Sequence, residues 1–165
     1  MSEPTGPDVT PRAWVASPEE AEAVARLLVE FRDWHGRDWP SPDAFRDSVQ
    51  RLIRHPDAEF LLAGVGGAAP PAAVGQVRYR HSVWTASDDC WIEDLFVTES
   101  ARGRGLGEAV VELAVRRARA RGCRRVELDV NERNAPALRL YGRLGFEVSH
   151  KPPGGRDVLM RLRLG

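Results

Sequence analysis

The hexapeptide Arg102-Gly103-Arg104-Gly105-Leu106-Gly107 separates an apolar segment, 92–97 (IEDLFV), from a segment of helical periodicity. Glycines lack a Cβ, so the backbone of such a loop can approach a ligand closely. Where the loop opens a helix, the first N–H groups point outward and the positive end of the helix dipole favours an anion. Arg102 and Arg104 add two cations suited to phosphate oxygens. A diphosphate is the natural guest; an ordinary tight turn is the competing explanation. The loop is not a Walker A sequence, because no Gly-Lys-Ser/Thr follows. Nor is it a Rossmann fingerprint: the glycines at 103, 105 and 107 are spaced GxGxG, and no initial βαβ half surrounds them.

Downstream of the loop, Leu106, Val110, Leu113 and Ala114 share one helical face, and Arg116, Arg117, Arg119 and Arg121 precede the terminating Gly122. Late arginines complement the negative end of the dipole. Alternation of Val126, Leu128 and Val130 predicts a strand over 124–130. A short helix follows over 134–144, closed by Gly145. Strands at 146–150 and 158–164 are joined by the turn Pro152-Pro153-Gly154-Gly155. Upstream, a strand at 11–16 leads to Ser17-Pro18-Glu19-Glu20, a capping box. The helix it starts carries Ala21, Val24, Ala25, Leu28 and Phe31 on one face. A second helix starts at Ser41-Pro42 and ends before Pro56. Strands at 59–65, 73–83 and 90–97 have short connections and form an antiparallel meander.

The order is β-α-α-β-β-β-α-β-α-β-β. The strand–helix–strand unit across the glycine loop is a right-handed parallel crossover, so the sheet is mixed and the class is α/β (α+β). Residues 1–9 read as a flexible leader and 10–165 as a single domain, because no linker divides them.

The chain has 165 residues, with 24 basic and 24 acidic side chains and a formal net charge of zero. That balance argues against a nucleic-acid partner. It conceals a split: residues 1–99 carry 9 basic and 17 acidic groups, a net of −8, and residues 100–165 carry 15 and 7, a net of +8. The halves are expected to face different partners. No segment reads as membrane-spanning or as a secretory signal. Cys90 and Cys123 form no CxxC motif, and His35, His55, His81 and His150 lack ligand spacing, so no metal is expected. A reduced, cytoplasmic setting is the expectation.

Taken together, these segments resemble the GCN5-related N-acetyltransferase (GNAT) superfamily. Arg102, Gly105 and Gly107 match its Arg/Gln-x-x-Gly-x-Gly/Ala loop, and IEDLFV resembles its fourth strand. Asn134, Ala137, Leu140, Tyr141, Gly145 and Phe146 match its Asn-x-x-Ala-x-x-Leu-Tyr-x-x-x-Gly-Phe pattern. The match spans roughly 91–147; over 11–90 only the element order agrees. In motif the chain is nearest the diamine and polyamine branch.

The resemblance implies an acetyl-CoA-dependent N-acetyltransferase. Its fourth and fifth strands would splay apart so that the pantetheine arm pairs with the backbone of Leu95, Phe96 and Val97. Residues Arg102, Gly103, Arg104, Gly105, Leu106 and Gly107 would hold the pyrophosphate. Asn134 would contact the cofactor arm as well as capping its helix, and Tyr141 would be the general acid that protonates the departing thiolate. Glu93 is the expected base or amine anchor. Alternation within a strand would place Glu93 and Asp94 on opposite faces, so one could be a base while the other is structural; Asp94 is also a candidate contact to the substrate. Trp34 and Asp38, between the first two helices, suit a cationic amine through cation–π and charge pairing. Trp84 and Trp91 either line the same cleft or fill the core.

The expected acceptor is the primary amine of a small molecule: a diamine, a polyamine or an amino sugar. Acetylation of a protein N-terminus or lysine, and acyl-CoA sensing without turnover, are the alternatives. No nucleic acid and no membrane are expected as partners. A homodimer through the final hairpin follows by analogy.

Overall fold

The computed structural model describes residues 9–66, 70–148 and 162–163. The chain divides into two compact units, Met1–Asp129 and Val130–Gly165. The first holds β1 (Pro11–Val15), α1 (Ala21–Trp34), α2 (Pro42–Leu52), β2 (Ala58–Val65), β3 (Ala73–Ser82), β4 (Ser87–Val97), α3 (Leu106–Ala120) and β5 (Val126–Leu128). The second holds α4 (Ala135–Arg143).

The five strands form one sheet in the order β1-β2-β3-β4-β5. Pairs are antiparallel up to β4, and β5 lies parallel to β4. This is the mixed sheet expected from the sequence. Local chemistry sets the element ends. The Glu20 carboxylate accepts from the Ser17 N–H (2.9 Å) and from Trp14 Nε1 (2.8 Å), fixing the chain between β1 and α1. Ser41 Oγ caps α2 by accepting from Ala44 N. Two strands differ in length from the sequence reading. β4 starts at Ser87, because Asp88 and Asp89 continue the hairpin opposite His81 and Arg80. β5 is reduced to Val126–Leu128, because only Cys90–Ile92 pair with it. The strands predicted at 146–150 and 158–164 lie outside the described residues, except for Phe146, Glu147, Val148, Leu162 and Arg163, which are irregular.

Side chains alternate across β2 and β3 and build a core on each face. Phe60, Leu62 and Val74 pack with Val24, Leu27 and Leu28 of α1 and Val49 of α2. Phe96 joins them, its ring 5.0 Å from that of Phe31. Full burial of each large side chain contributes about 1.5–3 kcal/mol. On the other face α3 comes close to the sheet at Gly75. A Cβ there would lie 2.6 Å from Val110 Cγ1.

The arginines late in α3 and in β5's approach meet acids from the first half of the chain. Arg117 Nε donates to Glu59 (3.1 Å), which also accepts from the Tyr79 hydroxyl. Arg121 reaches Asp57 and Asp88 and lies 4.2 Å over the Tyr79 ring. Arg125 donates two hydrogen bonds to the buried Asp89. Burial opposes ionisation of Asp89, but the hydrogen bonds from Arg125 and Thr85 outweigh it and hold its carboxyl below the usual range. Part of the +8/−8 split is therefore neutralised inside the first unit.

The contact at Gly75 yields a stability prediction. Gly75→Ala should destabilise the fold by about 1–3 kcal/mol, the usual cost of overpacking. The penalty should be smaller in the Val110→Ala background, as a chemical denaturation cycle would measure. Equal penalties in both backgrounds would refute the contact.

Candidate active site

β4 carries the geometry. Gln76 of β3 pairs with Asp94, but the next residue, Val77, pairs with Ile92, so Glu93 is an extra residue in β4 and forms a bulge. Pairing with β5 also ends at Ile92. From Glu93 to Val97, β4 keeps β3 on one side and has no strand on the other among the described residues. The Thr98 N–H bonds to Ala72 O of the β3 side. By alternation, Phe96 also turns its N–H and C=O toward β3, while Leu95 and Val97 present theirs to the open edge. Val97 O accepts there from Arg102 Nε at 3.2 Å.

The bulge also redirects the acids. Regular alternation would separate Glu93 from Asp94. Instead Gln76 Nε2 donates to Glu93 Oε2 at 2.8 Å, and Gln76 lines the same cleft as Asp94. Both carboxylates therefore belong to the face covered by α1 and α2. Burial, and then the charge of Glu93, push the Asp94 carboxyl above the usual carboxylate range. Gln76 is the residue that sequence reasoning missed. Its signal was present: a lone amide in the apolar strand Ala73-Val74-Gly75-Gln76-Val77.

The cleft has a volume of about 190 Å³. Phe31, Phe45, Val49, Leu52 and Phe60 form apolar walls. Arg32, His35, Arg37, Gln76 and Asp94 supply its polar groups. Trp34 and Asp38, expected to meet the amine, are not among its lining residues. Trp34 is 53% exposed and stacks under the Arg102 guanidinium at 5.1 Å. It therefore sits beside the glycine loop. Asp38 is exposed. Trp84 stands exposed on the β3–β4 turn, and Trp91 lies under Arg80.

Gly103 and Gly105 have φ of +76° and +78°, a region that disfavours any side chain. Gly105 occupies the N-cap of α3 and brings no capping side chain to the first N–H groups of the helix. Arg104 is exposed beside it. An open strand edge continuing into an uncapped helix start fits an extended arm ending in a diphosphate, so the residues present fit CoA.

The second unit holds Asn134 and Tyr141. Asn134 Oδ1 accepts from Ala137 N at 3.2 Å and caps α4, as its position predicts. Tyr141 packs near Phe146, with ring centroids 5.8 Å apart. Burial raises the pKa of its phenol, which stays protonated at neutral pH. Burial also pushes the Cys90 thiol up to about 12, which leaves it inert as a nucleophile. Among the described residues no group of three or more His, Cys, Asp or Glu is placed to hold a metal, and no helix is long and apolar enough to cross a membrane.

Residues 25–146 match the acetyltransferase (GNAT) family, and the chain belongs to it. A mycothiol acetyltransferase of Beutenbergia cavernae is 33% identical over 135 residues, covering 82% of this chain and 38% of that protein. A second, from Corynebacterium jeikeium, is 47% identical over 68 residues, or 41% of this chain and 18% of its own length. The chain thus spans well under half of the relatives it matches. A candidate acetyltransferase from Arthrobacter sp. FB24 superposes with a TM-score of 0.77 at 26% identity, covering 98% of this chain and 99% of that one. The aminoglycoside N-acetyltransferase AAC(6')-Iy, solved with CoA, has the same fold, with a TM-score of 0.72 at 19% identity over 94% of this chain and 99% of that one. None of these relatives bears a diamine or polyamine name.

The Asp94 environment is testable without a ligand. Asp94 binds its proton more tightly in the folded chain than in the unfolded one. Stability is therefore lost as pH rises from the ordinary carboxylate value through the raised folded value. Asp94→Asn should raise the thermal midpoint at about pH 8, and the gain should shrink toward about pH 4. A gain independent of pH would contradict the burial of this carboxyl.

Proposed function

We propose that the chain transfers an acetyl group from acetyl-CoA to the primary amine of a small molecule. The observation that carries this reading is the bulge at Glu93, which sets two carboxylates on the cleft face of a strand whose far edge has no partner strand beyond Ile92 among the described residues. Acetyl-CoA would supply the acyl group as a thioester, already activated for attack by a neutral amine. The backbone of Leu95 and Val97 would align the arm along β4. Gly103, Arg104, Gly105, Leu106 and Gly107 would hold its diphosphate at the start of α3, with Arg102 alongside. Asn134 is assigned a contact to the arm in addition to its capping bond.

An alkyl ammonium must lose a proton before it attacks. Glu93, fixed by Gln76, is assigned the role of holding the ammonium. Asp94, whose burial and the nearby charge of Glu93 raise its carboxyl above the usual carboxylate range and so strengthen it as a base, takes the proton directly or through water. Tyr141 is assigned the opposite task. Its protonated phenol donates to the sulfur as the carbon–sulfur bond breaks. The mycothiol and aminoglycoside names of the relatives, both of small molecules, support a small acceptor.

Thiol release from acetyl-CoA over a panel of small amines and peptides tests the assignment. Turnover is expected with small amines. Asp94→Asn should lower kcat/KM by about 10²–10⁴-fold and flatten the acidic limb of the pH profile. Tyr141→Phe should lower kcat with little change in acetyl-CoA affinity. Turnover with peptides alone would favour a protein acetyltransferase. CoA binding without turnover would favour a sensor.

A further inference from the structure

The cleft under α1 and α2 has charge of both signs. Asp94 stands on its β4 side, and Gln76, which lines the cleft with it, holds Glu93. Arg32, His35 and Arg37, from the end of α1 and the segment after it, stand on the other. In so small a space, opposite charges would be expected to close on one another. They do not. Among the described residues no ion pair joins either carboxylate to either arginine; each such pair lies beyond 4.0 Å. Arg32 is held in place from behind, donating to Pro40 O at 2.6 Å and to Asp33 Oδ1 at 2.9 Å. Its side chain is 12% exposed, so it forms a fixed wall. Arg37 has an exposed guanidinium with no acidic partner among the described residues.

We infer that the acceptor is a compact zwitterion. Its amine meets the Asp94 side of the cleft, and a carboxylate or phosphate meets Arg37, with the Arg32 wall behind. The inference rests on the proposed transfer to a small amine and adds to it a second, anionic group. The two poles explain why the cleft keeps opposite charges apart: each waits for one end of the ligand. Apolar walls from Phe31, Phe45 and Phe60 leave the connecting part of that ligand unbonded. The volume of about 190 Å³ is below the roughly 300–1,000 Å³ of sites for drug-sized ligands, so the part held there is small. A polyamine, with cationic groups at both ends, would bring a positive charge against Arg37.

Matched acceptors separate the poles: free amino acids against their amides, and phosphoethanolamine against ethanolamine, each assayed with acetyl-CoA on wild type and Arg37→Gln. The anionic member of a pair should have the higher kcat/KM by about 10-fold or more, the loss expected when a charge-assisted contact is missing. Arg37→Gln should remove that advantage, lowering kcat/KM far more for the anionic member than for the neutral one. Preference for carboxylate over phosphate, or the reverse, names the anion. Equal rates within every pair, or an equal loss for both members in Arg37→Gln, would overturn the inference while leaving the transferase reading intact. Turnover of neither member would sink the transferase reading instead. In that case calorimetry of the same compounds decides: zwitterion binding that is lost in Arg37→Gln sustains the two-pole cleft, and no binding overturns it.

Discussion

One extra residue in β4 governs the site. Because Glu93 has no partner of its own in β3, the strand bends there, and its pairing with β5 stops one residue earlier, at Ile92. Three consequences share that origin. Among the described residues no strand pairs with the edge of β4 beyond the bulge, and the N–H and C=O groups of Leu95 and Val97 face that edge. Glu93 and Asp94 come to the same side of the sheet. Gln76, opposite the bulge, becomes the group that holds one acid while lining a cleft with the other. The rest of the first unit keeps this arrangement in place. α1 and α2 seal the cleft face, with Phe31 and Val49 packing in one core with Phe96 of β4, while α3 is pressed onto the opposite face at Gly75. That close approach delivers the uncapped start of α3 beside the open edge.

The sequence made most of the first unit legible, because strong local signals specify it. The capping box before α1, the Ser-Pro start of α2, the meander and the GxGxG loop each depend on side chains near in sequence. What escaped was non-local. A bulge is a mismatch between two strands and leaves no mark in either one. Alternation therefore separated Glu93 from Asp94, although the fold brings them together. On the acceptor side, residue type singles out Trp34 and Asp38, whereas the end of α1 turns Trp34 toward Arg102, and Arg32, His35 and Arg37 line the cleft. The final hairpin, and with it any dimer edge, lies outside the described residues.

The charge split along the chain also has a more local meaning than two opposed binding surfaces. Arg117, Arg121 and Arg125 of the basic half bind Glu59, Asp57, Asp88 and Asp89 of the acidic half, tying the end of α3 and the start of β5 to the sheet. Exposed pairs of this kind each contribute only about 0–1 kcal/mol. The Asp89–Arg125 pair matters more, because its carboxylate is buried. Arg102 and Arg104 lie in the glycine loop, and Arg32 and Arg37 line the cleft.

The open edge of β4 is where the account is most exposed to test. Residue-resolved amide hydrogen exchange, with and without CoA, reads it directly. CoA should slow exchange at Leu95, Val97 and the first amides of α3, and leave Phe96, already turned toward β3, unchanged. Protection confined to other segments, or equal at Leu95, Phe96 and Val97, would contradict pairing of CoA with this edge.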